Sequence, residues 1–325
     1  MAKTEKLRKL FRYLKRGDLL PFYHKFLEIF IWPLFHRELL LKNAVKVMEE
    51  GWDYLIVLDA CRYDTFKEVV DGDTGYVISG ATATGIWMRW NFVEKHKDVI
   101  YIAGNPHFAS AHLKKCLGFN PFYMVKELWD YGWDDTLKTV PPEQVTNAAL
   151  ETLRKYPEKR MIIHYMQPHH PYIGDNDLLA MDEGTLHNLE DLWARQFSIT
   201  PLQLAKQGKL PIERVKKAYD ENLGIVMKEV RRLERELPGR VILTADHGEA
   251  FGEYGQYGHG GKLRLEALVK VPWAVLKDEK KQAFHPEPGV ERRKLQDRIT
   301  RLKESGKLDK SLQNPPTDGW SKLAC

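Results

Sequence analysis

A chain of 325 residues has room for one large domain, or for one domain with appendages. Its 43% hydrophobic and 29% charged residues are those of a soluble protein with a substantial core. A net charge of +5 gives no case for nucleic acid, and Cys61, Cys116 and Cys325 lack any paired metal-knuckle spacing, so a reduced, cytosolic setting is expected.

The chain opens with MAKTEKLRKLFRYLKRGDLL, in which seven Lys or Arg precede Gly17 against one Glu. Leu7, Leu10, Phe11 and Leu14 recur at helical spacing, which predicts a basic amphipathic helix. The aromatic stretch PFYHKFLEIFIWPLFHRELLL follows. Its longest apolar run, IFIWPLF, is far short of the ~20 residues that cross a bilayer, and it has neither the long apolar region nor the cleavage site of a signal peptide. Residues 1–40 are read either as helices packed on the domain or as an anchor lying at the membrane surface.

Between about 50 and 276, short apolar runs alternate with helical patterns. Strands are predicted at YLIVLDA (54–60), GYVISG (75–80), DVIYIAG (98–104), MIIHYMQ (161–167), VILTADHG (241–248) and VKVPWAVL (269–276). PPEQVTNAALETLRKY is predicted helical. So is the segment after 212, where Val215, Ala218, Leu223, Val226, Val230, Leu233 and Leu237 form one stripe. This rhythm predicts an α/β fold with a mostly parallel central sheet flanked by helices. After Leu276 the chain is charged and poor in aromatics, so the expected organisation is N-terminal helices over 1–45, a catalytic domain over 46–276 and an extension over 277–325.

In parallel sheets ligands gather at the carboxyl ends of strands. Here those ends carry Asp59; Ser79 and Gly80, with Thr82 and Thr84 just beyond; Gly104, Asn105 and His107; Gln167, His169 and His170; and Asp246 with His247. The strand bodies are apolar, so the polar residues mark a site. Asp59, Asp246 and His247 offer two carboxylates and one imidazole, a set that suits Zn or Mn better than Mg or Ca. A threonine of ATATG (81–85) opening a helix can serve as a hydroxyl nucleophile, and Thr82 and Thr84 are both candidates. His164 lies inside its strand and is read as orienting its neighbours or as a core residue. His169 and His170, between prolines, can complete a second metal site or stabilise charge on a transferring group, and His259 in GHGG can approach from the other side.

LIVLDACRYD, ATATG, HYMQPHHPY, TADHGE and GHGG followed by VKVPW, in that order, resemble the sulfatase-like branch of the alkaline phosphatase superfamily over about residues 50 to 276. The resemblance implies that superfamily's three-layer sandwich. It implies a metal held by Asp59, Asp246, His247 and the nucleophile, which by position is Thr84. His169 corresponds to the loop histidine of that branch and His259 to its late histidine. Arg62 is placed to meet the substrate anion, and GNPH (104–107) has the spacing of a Gly-Lys-x-His segment with Asn105 in the lysine's place. The Cys-x-Pro-Ser-Arg motif of true sulfatases is missing, Ala60 stands where a second aspartate is usual, and His247 replaces the asparagine of the calcium site. These departures shift the expectation to a Zn- or Mn-dependent hydrolase or transferase of phosphate esters, with one or two ions. Its substrate is expected to be a lipid- or glycan-linked ester, with no nucleic acid partner, and its place the cytoplasm or its membrane surface. A sulfatase working without formylglycine, and a non-catalytic relative binding anionic glycans or lipids, stand as alternatives. Glu249 and Glu253 are left outside the ligand shell.

Overall fold

The computed structural model describes residues 11–17, 26, 43–70, 74–183, 199–260 and 264–279. All of them fall in one compact unit, Met1–Lys280. The proposed extension, apart from 277–279, lies outside the described residues, as does most of the N-terminal segment; within the latter, residues 11–16 are helical, with Phe11 and Leu14 exposed.

Seven strands form one sheet: β1 (Tyr54–Asp59), β2 (Gly75–Ile78), β3 (His96–Ala103), β4 (Phe122–Glu127), β5 (Arg160–Pro168), β6 (Arg240–Ala245) and β7 (Lys270–Asp278). Their order across the sheet is β2-β7-β6-β1-β5-β3-β4. β1 is central, buried throughout its length, and runs parallel to β5 and β6. β7 alone runs against its neighbours, so β2, antiparallel to β7, points the same way as β6. The carboxyl ends of β1, β2, β3, β5 and β6 therefore share one edge, as the strand-end argument requires.

Two readings of the sequence are revised. β4 was not predicted. Its residues are mostly half-buried at a sheet edge, so FYMVKE lacks the continuous apolar run of the central strands. β7 extends to Asp278, so the expected boundary at 276 falls inside a strand.

Helices α1 (Tyr63–Val69), α2 (Thr84–Asn91), α3 (Ser110–Leu117), α4 (Pro142–Lys155), α5 (Asn176–Met181), α6 (Pro201–Lys206), α7 (Ile212–Glu236) and α8 (Glu266–Val269) surround the sheet. α4 starts with proline at its first turn, where a missing N–H costs nothing. Every residue of the predicted α7 stripe is buried. Successive residues of a strand face opposite sides of a sheet. On β5, the Tyr165 hydroxyl bonds Thr146 of α4 at 2.8 Å, while the His164 ring packs on Trp87 of α2. Helices thus cover both faces, giving three layers, α/β/α.

Candidate metal centre

β1 ends on Asp59, which is 2% exposed, and β6 runs into Asp246 and His247, both 0% exposed. The Asp246 Oδ1 atom accepts from the main-chain N–H groups of Ala60 (3.0 Å) and His247 (2.9 Å). Its Oδ2 is buried without a hydrogen-bond partner, 3.3 Å from His247 Nε2. His247 Nδ1 donates to the Gly248 carbonyl at 2.8 Å, which leaves the Nε2 lone pair facing the carboxylates. From there Asp59 Oδ1 is 4.0 Å away and the Thr84 hydroxyl 3.3 Å. Asp59, in turn, is gripped by the Asn105 amide, which donates to Oδ2.

Four expected residues therefore converge: Asp59, Asp246, His247 and Thr84. Two carboxylates this deep repel each other and have lost water, a costly arrangement unless a cation lies between them. The His164 ring joins them. Its Nε2 is also buried without a hydrogen-bond partner, 3.7 Å from Asp59 Oδ2, and it falls within 4.8 Å of ligand atoms of Asp59 and Asp246. Burial pushes the His164 pKa down to about 4, so the ring stands neutral. Burial likewise lowers that of His247. For Asp246 burial acts upward, but attraction to His247 and His164, with hydrogen bonds from the Ala60 N–H and the Thr84 hydroxyl, outweighs it and holds the carboxyl below its ordinary value. Buried orphan oxygen and nitrogen atoms around a carboxylate pair fit a divalent cation with mixed N and O ligands.

Thr84 is the first residue of α2, following an extended Ala83, so its hydroxyl stands beside the N–H groups of an opening helix. Thr82 is also buried, but its place is different. Its carbonyl accepts from Gly260 N–H at 2.7 Å, which ties the ATATG loop to the His259 loop. Thr84 lines the pocket together with Asp59, Asn105, Lys138, His169 and His259; Thr82 is not among the lining residues.

His169 and His259 face each other across this pocket, ring centroids 5.1 Å apart, and His259 lies 4.4 Å from His247. His169 Nδ1 donates to the His170 carbonyl at 2.5 Å. His259 Nδ1 donates to the two Glu249 oxygens at 3.1 and 3.2 Å. For Glu249, burial acts upward and the His259 ring more than offsets it, so the carboxyl lies below its ordinary value. His169, Glu249 and His259 form a second group of ligand-type atoms within 4.8 Å. His170 turns aside, its Nδ1 2.6 Å from buried Asp182.

Arg62 is not where a substrate anion would need it. Its guanidinium donates to Asp64, to Glu253 at 2.5 Å and to the Glu249 carbonyl at 2.9 Å, and it lies over the Phe251 ring. It is a strut between the loops after β1 and β6. Glu253, left out of the ligand shell, is the other half of that strut. Sequence reasoning missed the grip of Glu249 on His259, the place of His164 beside Asp59 and the role of Asn105. A polar residue within an apolar strand was the signal for His164.

No protein-family profile matches the chain, and no curated protein does. Among solved structures it is similar to the soluble domain of lipooligosaccharide phosphoethanolamine transferase A from Neisseria meningitidis, at 15% identity and a TM-score of 0.44, covering 68% of this chain and 74% of that one. It is similar to the C-terminal periplasmic domain of EcEptC from Escherichia coli in complex with Zn, at 12% identity and a TM-score of 0.39, covering 74% and 78%. A third is a protein in the alkaline phosphatase superfamily from Vibrio parahaemolyticus, at 13% identity and a TM-score of 0.36, covering 74% and 64%. The superfamily named there is the one the motifs resemble. At these scores the likeness is one of chain course, and what the site does is argued from its own residues. No helix of the described residues is long and apolar enough to cross a membrane.

Proposed function

We propose that this protein is a metal-dependent hydrolase or transferase of phosphate esters with Thr84 as its nucleophile. The observation that carries the reading is the Thr84 hydroxyl, 3.3 Å from His247 Nε2 and opening a helix beside the buried Asp246 carboxylate. Asp59, Asp246, His247 and Thr84 would hold the ion, zinc or manganese by the chemistry of the donors. Such an ion lowers the pKa of the hydroxyl and offsets the two carboxylate charges.

The rest of the chemistry belongs to the chain. Thr84 Oγ forms a bond to phosphorus as the bond to the leaving oxygen breaks, giving a phosphothreonine. The hydroxyl proton passes to solvent before attack, and the leaving oxygen gains one from solvent. Water or an acceptor alcohol then attacks the phosphothreonine, releasing phosphate or the transferred ester and restoring Thr84. The N–H groups at the start of α2 are where equatorial oxygens are best met, and the Nε2 sides of His169 and His259 where such oxygens or a second ion are. Glu249 fixes the His259 ring for this, in the manner of a carboxylate behind a ligand histidine.

The test is a set of aryl phosphate mono- and diesters with zinc or manganese, followed by mass spectrometry of the protein. Turnover with phosphate trapped on Thr84 is expected. No turnover of either ester class with either metal would overturn the reading.

For residues 1–40 we propose contact with a membrane surface, supported by the seven basic residues before Gly17 and by exposed Phe11 and Leu14. Deleting residues 1–40 is expected to release the protein from anionic liposomes; unchanged binding would reject this.

A further inference from the structure

We propose that Tyr219 is a positioning residue for the metal centre, holding the main chain that orients Asp246. The proposal rests on reading that site as a metal centre. Tyr219 lies on α7, on the far side of the Ala60–Arg62 turn from the Asp246 carboxylate, and is 0% exposed. Its hydroxyl donates to the Ala60 carbonyl at 2.6 Å and accepts from the Arg62 N–H at 2.9 Å. One oxygen thus ties both sides of the turn that follows β1.

That turn needs holding. Ala60 has φ 56°, a left-handed conformation that a residue with a Cβ adopts only when its surroundings impose it. Residues in such conformations cluster where geometry serves function. The Ala60 N–H, so directed, donates to Asp246 Oδ1 at 3.0 Å. With His247 N–H on the same oxygen, Oδ1 is occupied by two main-chain donors, and Oδ2 is the atom turned toward His247 Nε2, 3.3 Å away. The chain of cause runs from the phenol to the Ala60 backbone, from there to the carboxylate, and so to which oxygen is offered to an ion. Arg62 extends it, since its side chain reaches the Glu249 carbonyl at 2.9 Å and Glu249 holds His259. Tyr219 itself touches no candidate ligand through its hydroxyl. Its ring packs edge-on against Phe251, 5.1 Å between centroids, so Phe in its place keeps the packing and removes only the hydrogen bonds.

The test is Tyr219→Phe in the full chain, with Tyr165→Phe as control. Tyr165 is equally buried and bonds Thr146 at 2.8 Å. Two readouts are taken: zinc affinity by competition with a chromophoric chelator, and hydrogen exchange of the Ala60 and Arg62 amides without metal. Tyr219→Phe is expected to weaken zinc by about tenfold or more, the usual cost of losing a supporting partner, and to speed both amides. Tyr165→Phe is expected to lower thermal stability comparably while leaving both readouts alone. Unchanged exchange at Ala60, or a loss of zinc affinity no larger than the control's, overturns the proposal. If the parent binds neither zinc nor manganese, the metal reading fails, and the exchange result alone decides the role of Tyr219. Should Tyr219→Phe not fold, it is placed in an Ala60→Gly background, where glycine accepts the positive φ unaided. There the amides are expected to exchange faster than in Ala60→Gly alone, and equal exchange rejects the proposal.

Discussion

On the Thr84 side of the pocket, Asp59, Asp246 and His247 are almost wholly buried; amide and main-chain donors hold the two carboxylates, and the Gly248 carbonyl accepts from His247 Nδ1. On the facing side, the His259 ring is 23% exposed and one carboxylate, Glu249, orients it by accepting from its Nδ1. The first group is incomplete as it stands, with Asp246 Oδ2 and His164 Nε2 unpartnered in a dry setting. The second closes on itself through the His259–Glu249 pair. A site that leaves buried charge unmatched needs a cation to be stable, whereas one that satisfies itself at the pocket edge is free to receive a ligand. Under the proposed function, the ion and the nucleophile belong to one wall and the handling of substrate oxygens to the other.

Changes at the two walls are expected to differ in kind as well as size. Thr84→Ala removes the nucleophile and should cut ester turnover by about 10³-fold or more, with no phosphate trapped on the protein, as steady-state kinetics and mass spectrometry will show. Retained turnover with phosphate on Thr82 would reassign the nucleophile within the same wall. His259→Ala is expected to cost about 10²-fold in kcat while zinc affinity in the Asp59 centre changes little, which kinetics and metal titration together can check. A parallel collapse of zinc affinity would merge the two walls into one.

The loop joining the walls is tested by Gly248→Ala. A Cβ there would lie 2.0 Å from the Ala267 carbonyl oxygen, so backbone must move, and a loss of about 1–3 kcal/mol is expected in thermal or denaturant unfolding. The smallest effect lies far from the pocket. Burial pushes the Asp98 carboxyl upward, but the Arg160 guanidinium bonded at 2.7 Å outweighs it and keeps the folded value below the ordinary one. A carboxyl lowered on folding adds stability above its unfolded pKa, about 3.9, that is lost as pH falls through the folded value. Arg160→Met should therefore flatten the stability curve below about pH 4, by under about 1 kcal/mol since Asp98 is half exposed. A flattening of equal size at neutral pH would contradict this.

Much of this architecture was legible in residue order, because central strands such as YLIVLD are apolar from end to end and change abruptly to Asp or His where they leave the sheet. Strand β4 was not, since an edge strand needs only part of its length apolar. Asp59, Asp246 and His247 could be grouped because strand ends of parallel runs meet on one edge. The position of Arg62 could not be read: an arginine beside a suspected site looks like an anion ligand until the carboxylates of Asp64 and Glu253 are seen to claim it. Tyr219 lies even further from reach, for nothing in a helix stripe tells which aromatic hydroxyl will hold a turn more than 150 residues earlier.

The most direct test of the whole account is elemental analysis of the purified protein and of its Asp246→Ala variant, with folding of both checked by circular dichroism. Stoichiometric zinc or manganese in the parent, lost from a variant that still folds, is the predicted result. A parent free of divalent metal after reconstitution, or a folded variant that keeps its full metal content, would contradict it.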